Sequence, residues 1–406
     1  MIFSVTLEAQ ERVTDSLRQN AVRVFIDCRR CDMDYIRREI PYVNYVRDVK
    51  EAQVYILRTT QSTGSGGTEY TFTYVGQEEF EGMNDTLVYH SNPDETGDQI
   101  REGTTKMLSM GLMRYIARTP MFDEIEIYHP GITEEVEVID KWDYWVFEID
   151  FDPELEMEES LKSLNWDNSV NISRVTHALK YEIDADMNFR KTRYSYEDST
   201  YTRNRNSWSI DNLVVASISE HWSAGLWANL SSSTYRNLRS GIGIFPCIEY
   251  DIFPYSQSTT RQLRLLYGIG YSYNNYIDTT IFGKTKEHLL EQSFDVAFQV
   301  QQKWGAINIS LEASTYLHDL SKNRIELDSY IRIRLFKGLS LSINGGVARI
   351  NNQITLPKGD LDEAEILLEL QELATAYKID GGIGFTYTFG SIYNNIVNPR
   401  FGNGHY

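Results

Sequence analysis

The chain has 406 residues, a formal net charge of −19 and a pI of about 4.9. So acidic a chain lacks the basic face that nucleic acid demands. No run approaches the roughly 18 uninterrupted apolar residues of a membrane-spanning helix, so a helical span is excluded too. Aromatic residues make up 13% of the chain, with 27 Tyr. That is high for a soluble protein, and the aromatic girdles of a transmembrane β-barrel would account for it. A mean hydropathy of −0.41 suits a soluble protein and a barrel with a polar interior equally well.

Residues 1–20 open with MIFSVTLEAQ, a short apolar run that fits either the tail of a signal peptide or a disordered N-terminus. Residues 21–118 mix strand and helix signals. Ala21–Asp27 is an apolar strand, and Asp32–Ile40 has helical character and stops at Pro41. AQVYILRTTQ and TEYTFTYVGQ alternate on either side of Ser62–Gly67, which predicts a hairpin. A further strand is expected around Thr86–Tyr89. Leu108, Leu112, Tyr115 and Ile116 fall at helical spacing between Pro93 and Pro120. The order suits a small α+β domain. Residues 119–141 are acidic, contain Pro130-Gly131 and read as a linker.

From residue 142 to 390 the signal changes to strands alone, with twelve alternating segments. The first places Trp145, Phe147, Ile149 and Phe151 against Val146, Glu148 and Asp150. The tenth places Ile325, Leu327, Ile331 and Ile333 against Arg324, Glu326, Asp328, Arg332 and Arg334. The last, YKIDGGIGFTYTF, sets Ile379, Ile383, Phe385 and Phe389 against Lys378 and Asp380. Side chains alternate along a strand, so each segment has a greasy face and a charged face. The connections sort by parity. Those at Arg174–His177, Ser219–Ser223, Gln302–Gly305 and Phe336–Gly338 are short and Phe253–Thr260 is moderate. Those at Asp152–Trp166, Lys191–Asn206, Asn274–Gln292 and Asn351–Ala376 are long. Short turns on one side and long loops on the other is the habit of bacterial outer-membrane barrels. The expected fold is therefore an α+β N-terminal domain followed by an antiparallel transmembrane barrel of about twelve strands. An even strand number returns the C-terminus to the side of the N-terminal domain, both periplasmic. Pro246 inside the sixth segment predicts a bulge, and Leu361–Tyr377 reads as an amphipathic helix in the last outer loop. Residues 391–406 form a tail.

VRVFIDCRRCDMDYIRREIPYVNYVRD together with IEYDIFPYSQS (Ile248–Ser258) resembles an uncharacterised outer-membrane β-barrel family of Bacteroidota-type bacteria. The resemblance spans nearly the whole chain and implies a periplasmic α/β module joined to a barrel in the outer membrane. It carries no catalytic residues.

Chemistry-bearing candidates are few. Cys28 and Cys31 stand between a strand and a helix. A redox pair would sit there, but no proline follows where a thioredoxin domain needs its cis-Pro, so a structural disulfide or a reduced pair is the better reading. His318-Asp319, with Asp198 and Asp278 in other outer loops, could form a hydrolase site only if all converged on one water. His221 belongs to the short-turn side. The strongest feature is the charged interior: Arg264, Glu312, Arg324, Glu326, Asp328, Arg332, Arg334, Lys378 and Asp380. These residues either line a selective pore or neutralise one another in a filled barrel. No metal or cofactor is called for. The expected partners are outer-membrane lipid and a periplasmic or outer-membrane protein. The expected role is a membrane-anchored binding or scaffold protein, with a narrow channel or transporter as the alternative and a hydrolase behind both.

Overall fold

A computed structural model describes residues 20–126, 141–196, 199–336, 338–359 and 374–389. The N-terminal segment up to residue 19, most of the expected linker, nearly all of the helix expected at Leu361–Tyr377, and the tail lie outside the described residues.

The first sheet contains β1 (Arg23–Asp27), β2 (Asn44–Tyr45), β3 (Val54–Ser62), β4 (Thr68–Gly76) and β5 (Asn84–Ser91), in the order β2-β1-β3-β4-β5. β1 runs parallel to β2 and β3, and the remaining pairs are antiparallel. The two-residue β2 is too short to give an alternating signal and was not expected. Helix α1 (Met33–Glu39) starts where the Asp32 carboxylate accepts the Tyr35 N–H. That bond, ahead of the Arg101 guanidinium beside it, holds the Asp32 carboxyl below its ordinary range. Helix α2 (Gly97–Ile116) begins at a capping box in which Thr96 and Gln99 satisfy each other's backbone N–H. The helices cover one face of the sheet. Val24, Ile56, Phe72, Leu108, Leu112 and Tyr115 are buried together there.

α2 approaches β4 closely because residue 111 has no side chain. A Cβ on Gly111 would fall 2.1 Å from the Tyr74 ring, whose hydroxyl donates to the Met107 carbonyl. Ala is the better helix former by about 1 kcal/mol, but overpacking a core costs about 1–3 kcal/mol. Gly111→Ala is therefore expected to destabilise the domain. Faster amide exchange along α2 in the intact protein would show it; unchanged or slower exchange would mean that Tyr74 has room to yield.

The second sheet has twelve strands, all antiparallel and each bonded to its neighbour in sequence. They are β6 (Trp145–Met157), β7 (Leu161–Val175), β8 (Leu179–Tyr196), β9 (Ser199–Ser217), β10 (Trp222–Ser233), β11 (Leu238–Asp251), β12 (Arg261–Tyr276), β13 (Lys286–Gln302), β14 (Gly305–Tyr316), β15 (Asp319–Phe336), β16 (Leu339–Ile350) and β17 (Tyr377–Tyr387). The strand number agrees with the sequence pattern, but the loop parity does not. Residues 152–166 are mostly strand, and β6 turns into β7 through 158–160. Residues 191–206 are likewise mainly β8 and β9. The connections at 277–285 and 351–376 remain long, as does 252–260 on the other side, whereas the loops expected at 152–166 and 191–206 are extended strand arms. No bulge forms at Pro246 either. The β11–β12 ladder lacks pairs at Phe245 and Pro246, yet the register is the same on both sides of the gap. A missing N–H donor removes a bond without adding a residue. The end strands β6 and β17 are not bonded to each other, so the sheet is open along that seam.

Cross-strand register assigns the faces. Phe147, Ile172, Ile183, Leu226, Tyr267, Phe294, Leu311, Leu327, Val347 and Ile379 lie on one face. Many of these apolar residues are solvent-exposed, among them Ile149 at 76% and Ile383 at 70%. The opposite face carries the charges.

Candidate functional site

The charged face is curled around a cavity of about 850 Å³ whose wall runs from Lys180 on β8 to Tyr316 on β14. Flat strands lie about 4.8 Å apart, so residues on β8 and β13 would stand roughly 24 Å apart in a flat sheet. Sharing one cavity requires strong curvature. Two elements cover the ends of this concavity.

At the end where β7, β9, β11, β13 and β15 finish, the first sheet presents its helix-free face. Phe25 stacks on Tyr55 there, and the Tyr55 hydroxyl donates to Asp27 Oδ2 at 2.9 Å. Burial, then the Asp27 carboxylate, pushes the Tyr55 phenol above its ordinary pKa. Arg334 Nη2 also donates to Asp27 Oδ2, at 2.8 Å, and Nη1 donates to the Lys303 carbonyl. Its guanidinium lies 5.1 Å from the Phe25 ring centroid. Cys28 and Cys31 are disulfide-bonded and close the loop that follows. Arg30 takes a left-handed φ of 61° inside it, and Arg29 reaches over Tyr330 at 5.5 Å. Further along, the Asp48 carboxylate accepts the Gly338 N–H at 2.6 Å and Arg47 donates to the Phe389 carbonyl at 3.1 Å. Gly64, in the β3–β4 hairpin, abuts Val175. The domain thus touches the sheet near β6 and β7, at β15 and beside β17. A cavity of about 150 Å³ remains at this contact, lined by Asp27, Arg29, Arg332 and Arg334 among others.

At the other end, residues 351–358 cross from β16 toward β10–β12. Asn237, in the β10–β11 turn, donates to the carbonyls of Thr355 and Asp278 and accepts the Asp278 N–H. Thr280 bridges Pro357, and Ile281 donates to the Leu356 carbonyl. Ile354, Leu356, Thr280 and Asn237 are buried. We call this segment the strap; its Thr355 lines the large cavity.

Not all of the expected interior charges act together. Glu312 stands in register between Glu326 and Asp295, a row of three carboxylates across β15, β14 and β13. Arg324 neutralises Glu326 through Nε at 2.9 Å and Nη2 at 2.6 Å. Asp328, Gly346 and Asp380 form the adjacent row, with Lys378 3.6 Å from Asp380. Arg264 sits 3.8 Å from Glu249, whose carboxylate accepts the Tyr255 hydroxyl at 2.7 Å. Burial is the main cause that raises the Tyr255 phenol to about 12. Arg334 belongs with the N-terminal domain rather than with these rows, and Arg332 lines the contact cavity beside it. Sequence reading missed Asp27 and Arg29, which pair across the chain, and the Trp227–Phe245 contact on the charged face. That last pair was visible as aromatics at charged-face positions on adjacent segments.

Among the described residues, each hydrolase candidate has a partner of its own. His318 packs on Tyr316, Asp319 binds Ser321, and the Asp278 backbone binds Asn237. Asp198 lies outside the described residues. His221 is fixed in the β9–β10 turn, with Nδ1 2.7 Å from the Asp251 carbonyl. The chain matches no known protein-family model and no curated protein.

Asp27 and Arg334 are each 21% exposed, so their pairing is only partly screened. Asp27→Arg is expected to loosen the domain contact, raising amide exchange in residues 25–32 and 303–304. Combining it with Arg334→Asp should restore much of the protection. A double variant no better protected than the single would show that the pair does not hold the contact.

Proposed function

We propose that the twelve-stranded sheet closes as a transmembrane β-barrel in a bacterial outer membrane, with the N-terminal domain over its periplasmic mouth. The observation that carries this reading is the continuous exposed apolar face opposite a charged one. Burying a large apolar side chain is worth about 1.5–3 kcal/mol, and water offers these residues no such cover. Their strands are 11 residues or longer, enough to cross a bilayer at a tilt. Open strand edges cannot stand in lipid, so β6 and β17 pair in the membrane. The antiparallel order brings the start of β6 and the end of β17 to the same rim, where the N-terminal domain contacts both sides.

Within this barrel the chain acts as a membrane-anchored binding protein. The domain and the strap stop the two mouths, which suits a receptor or scaffold better than a diffusion pore. The domain's outer surface is then available to an envelope partner. The channel reading keeps one supporting observation, the 850 Å³ cavity between the two covers. Steady conductance of the intact chain in planar bilayers, with ion selectivity altered by Arg332→Glu, would favour it over the binding reading.

The membrane assignment is tested by face. Phe294→Arg, on the apolar face of β13, is expected to cost about 2–4 kcal/mol of folding into lipid vesicles. Ser310→Arg, between Asp328 and Ala297 on the charged face, should cost well under that. Equal costs in urea titrations, or a detergent-free soluble monomer, would defeat the barrel.

Closure is tested in a Cys247→Ser background. A cysteine at Ile383 should form an intrachain disulfide with a cysteine on β6 between Phe147 and Phe151 in membranes. Failure at every position would leave the seam open.

A further inference from the structure

We propose that the large cavity binds an organic cation, an ammonium group on an apolar body; this rests on the binding reading above. The charged face of the sheet has an uncharged belt. On β9, β10 and β11 the inward positions at this level are Leu213 and Val215, then Gly225 and Trp227, then Phe245 and Cys247. Trp227 and Phe245 have centroids 5.1 Å apart, and Trp227 is still 38% exposed, so part of its ring is open to the cavity. Phe245 lies flat because β12 makes room for it: a Cβ on Gly270 would fall 1.8 Å from its ring. Large aromatic surface has been placed where a filled, salt-bridged barrel would place charge.

Among the described residues, Glu291 beside this belt has no cation of the kind that other interior acids have, and Asp295 shares Arg264 with Glu249. Glu291 stands in register between Gly270 and Tyr316, and Asp295 between Leu266 and Glu312. By contrast, Glu326 has Arg324, Glu182 has Lys180 and Asp380 has Lys378. Arg264, the nearest base along the wall, stands between Glu249 and Asp295. A carboxylate in a low-dielectric site is costly without a counter-charge. An aromatic face draws a cation through its quadrupole. At the belt these groups favour a cation over an anion, which would meet Glu291 and Asp295; of the bases on the wall, Lys180 is bonded to Glu182, Arg264 stands between Glu249 and Asp295, and Arg236 belongs to the β10–β11 turn.

The test uses the full chain folded in lipid nanodiscs, titrated calorimetrically with benzyltrimethylammonium, benzenesulfonate and benzyl alcohol, with empty nanodiscs as the blank. The ammonium is expected to bind saturably and at least tenfold more tightly than the sulfonate. Glu291→Gln should weaken the ammonium about tenfold and leave the alcohol unchanged, and Trp227→Leu should weaken both. Should Glu291→Gln fail the heat-modified gel shift of a folded barrel, Asp295→Asn replaces it. Equal binding of sulfonate and ammonium, no saturable binding by any probe, or no loss in the carboxylate variants would overturn the proposal. Conductance on the same preparation separates the two claims. A steady current defeats the stoppered-receptor reading, whereas the charge preference among probes stands or falls on its own.

Discussion

The structure depends on the two-residue period of the β-strand. Once one face of twelve consecutive strands is apolar, every charge in those strands must go to the other face, and a one-residue slip anywhere would exchange the two. The registers of β6 to β17 keep this assignment along the body of the sheet, and the shifts between Ser231 and Ser233 and between Thr315 and Tyr316 fall at strand ends. The charged face is therefore a consequence of the greasy one. Its acids and bases meet because the strands carry them there, and pairs such as Arg324–Glu326 offset the cost of that enclosure.

That constraint also sets how much could be read from the sequence. Strands were legible where one face is apolar, as in β12, β13 and β15. They were illegible where both faces are polar: EMEESLKS and RKTRYSYEDSTYTRNRN alternate nothing, yet most of these residues continue β6–β9 as hydrogen-bonded arms. In water a strand needs only its ladder, so hydrophobic periodicity falls silent and polar strand passes for loop. The capping box at Thr96 and the hairpin at Ser62–Gly67 were legible because their signals are local. The Asp27–Arg334 pair spans 307 positions, and no local pattern announces it. For the same reason Arg334 looked like one more interior charge on the tenth strand, although its partner is in another sheet. The strap was hidden too, since NNQITLPK has no period of its own and gains structure only from Asn237 and Thr280.

The two covers differ in kind. The N-terminal domain has its own apolar core beneath α1 and α2, and meets the twelve-stranded sheet through an ion pair, backbone hydrogen bonds and a disulfide-closed loop. The strap has no core of its own. It buries Ile354 and Leu356 against neighbouring turns and is fastened by the Asn237 amide and by backbone hydrogen bonds from Ile281 to Leu356 and from Lys358 to Thr279. Local opening is governed by the fewest and most exposed contacts. Opening the strap therefore breaks local turn contacts and exposes two apolar residues, whereas the N-terminal domain moves only as a folded unit.

This asymmetry bears on how a ligand would reach the cavity. The strap spans the end away from the N-terminal domain, and Thr355 touches the cavity wall directly. A ligand entering there has to part the strap's bonds to Asn237, Thr279 and Ile281. One entering from the domain side must break the Asp27–Arg334 pair and then pass Arg29, Arg332 and Arg334, a cluster of bases on the path. An organic cation would be repelled on that path before it reached Glu291. The same charges that fix the domain at its end of the sheet therefore place a basic cluster there, whereas Glu291 stands in the row that continues from Phe245 of the aromatic belt. A cation held at the belt rests against its own counter-charges, with the basic cluster behind it and the strap in front.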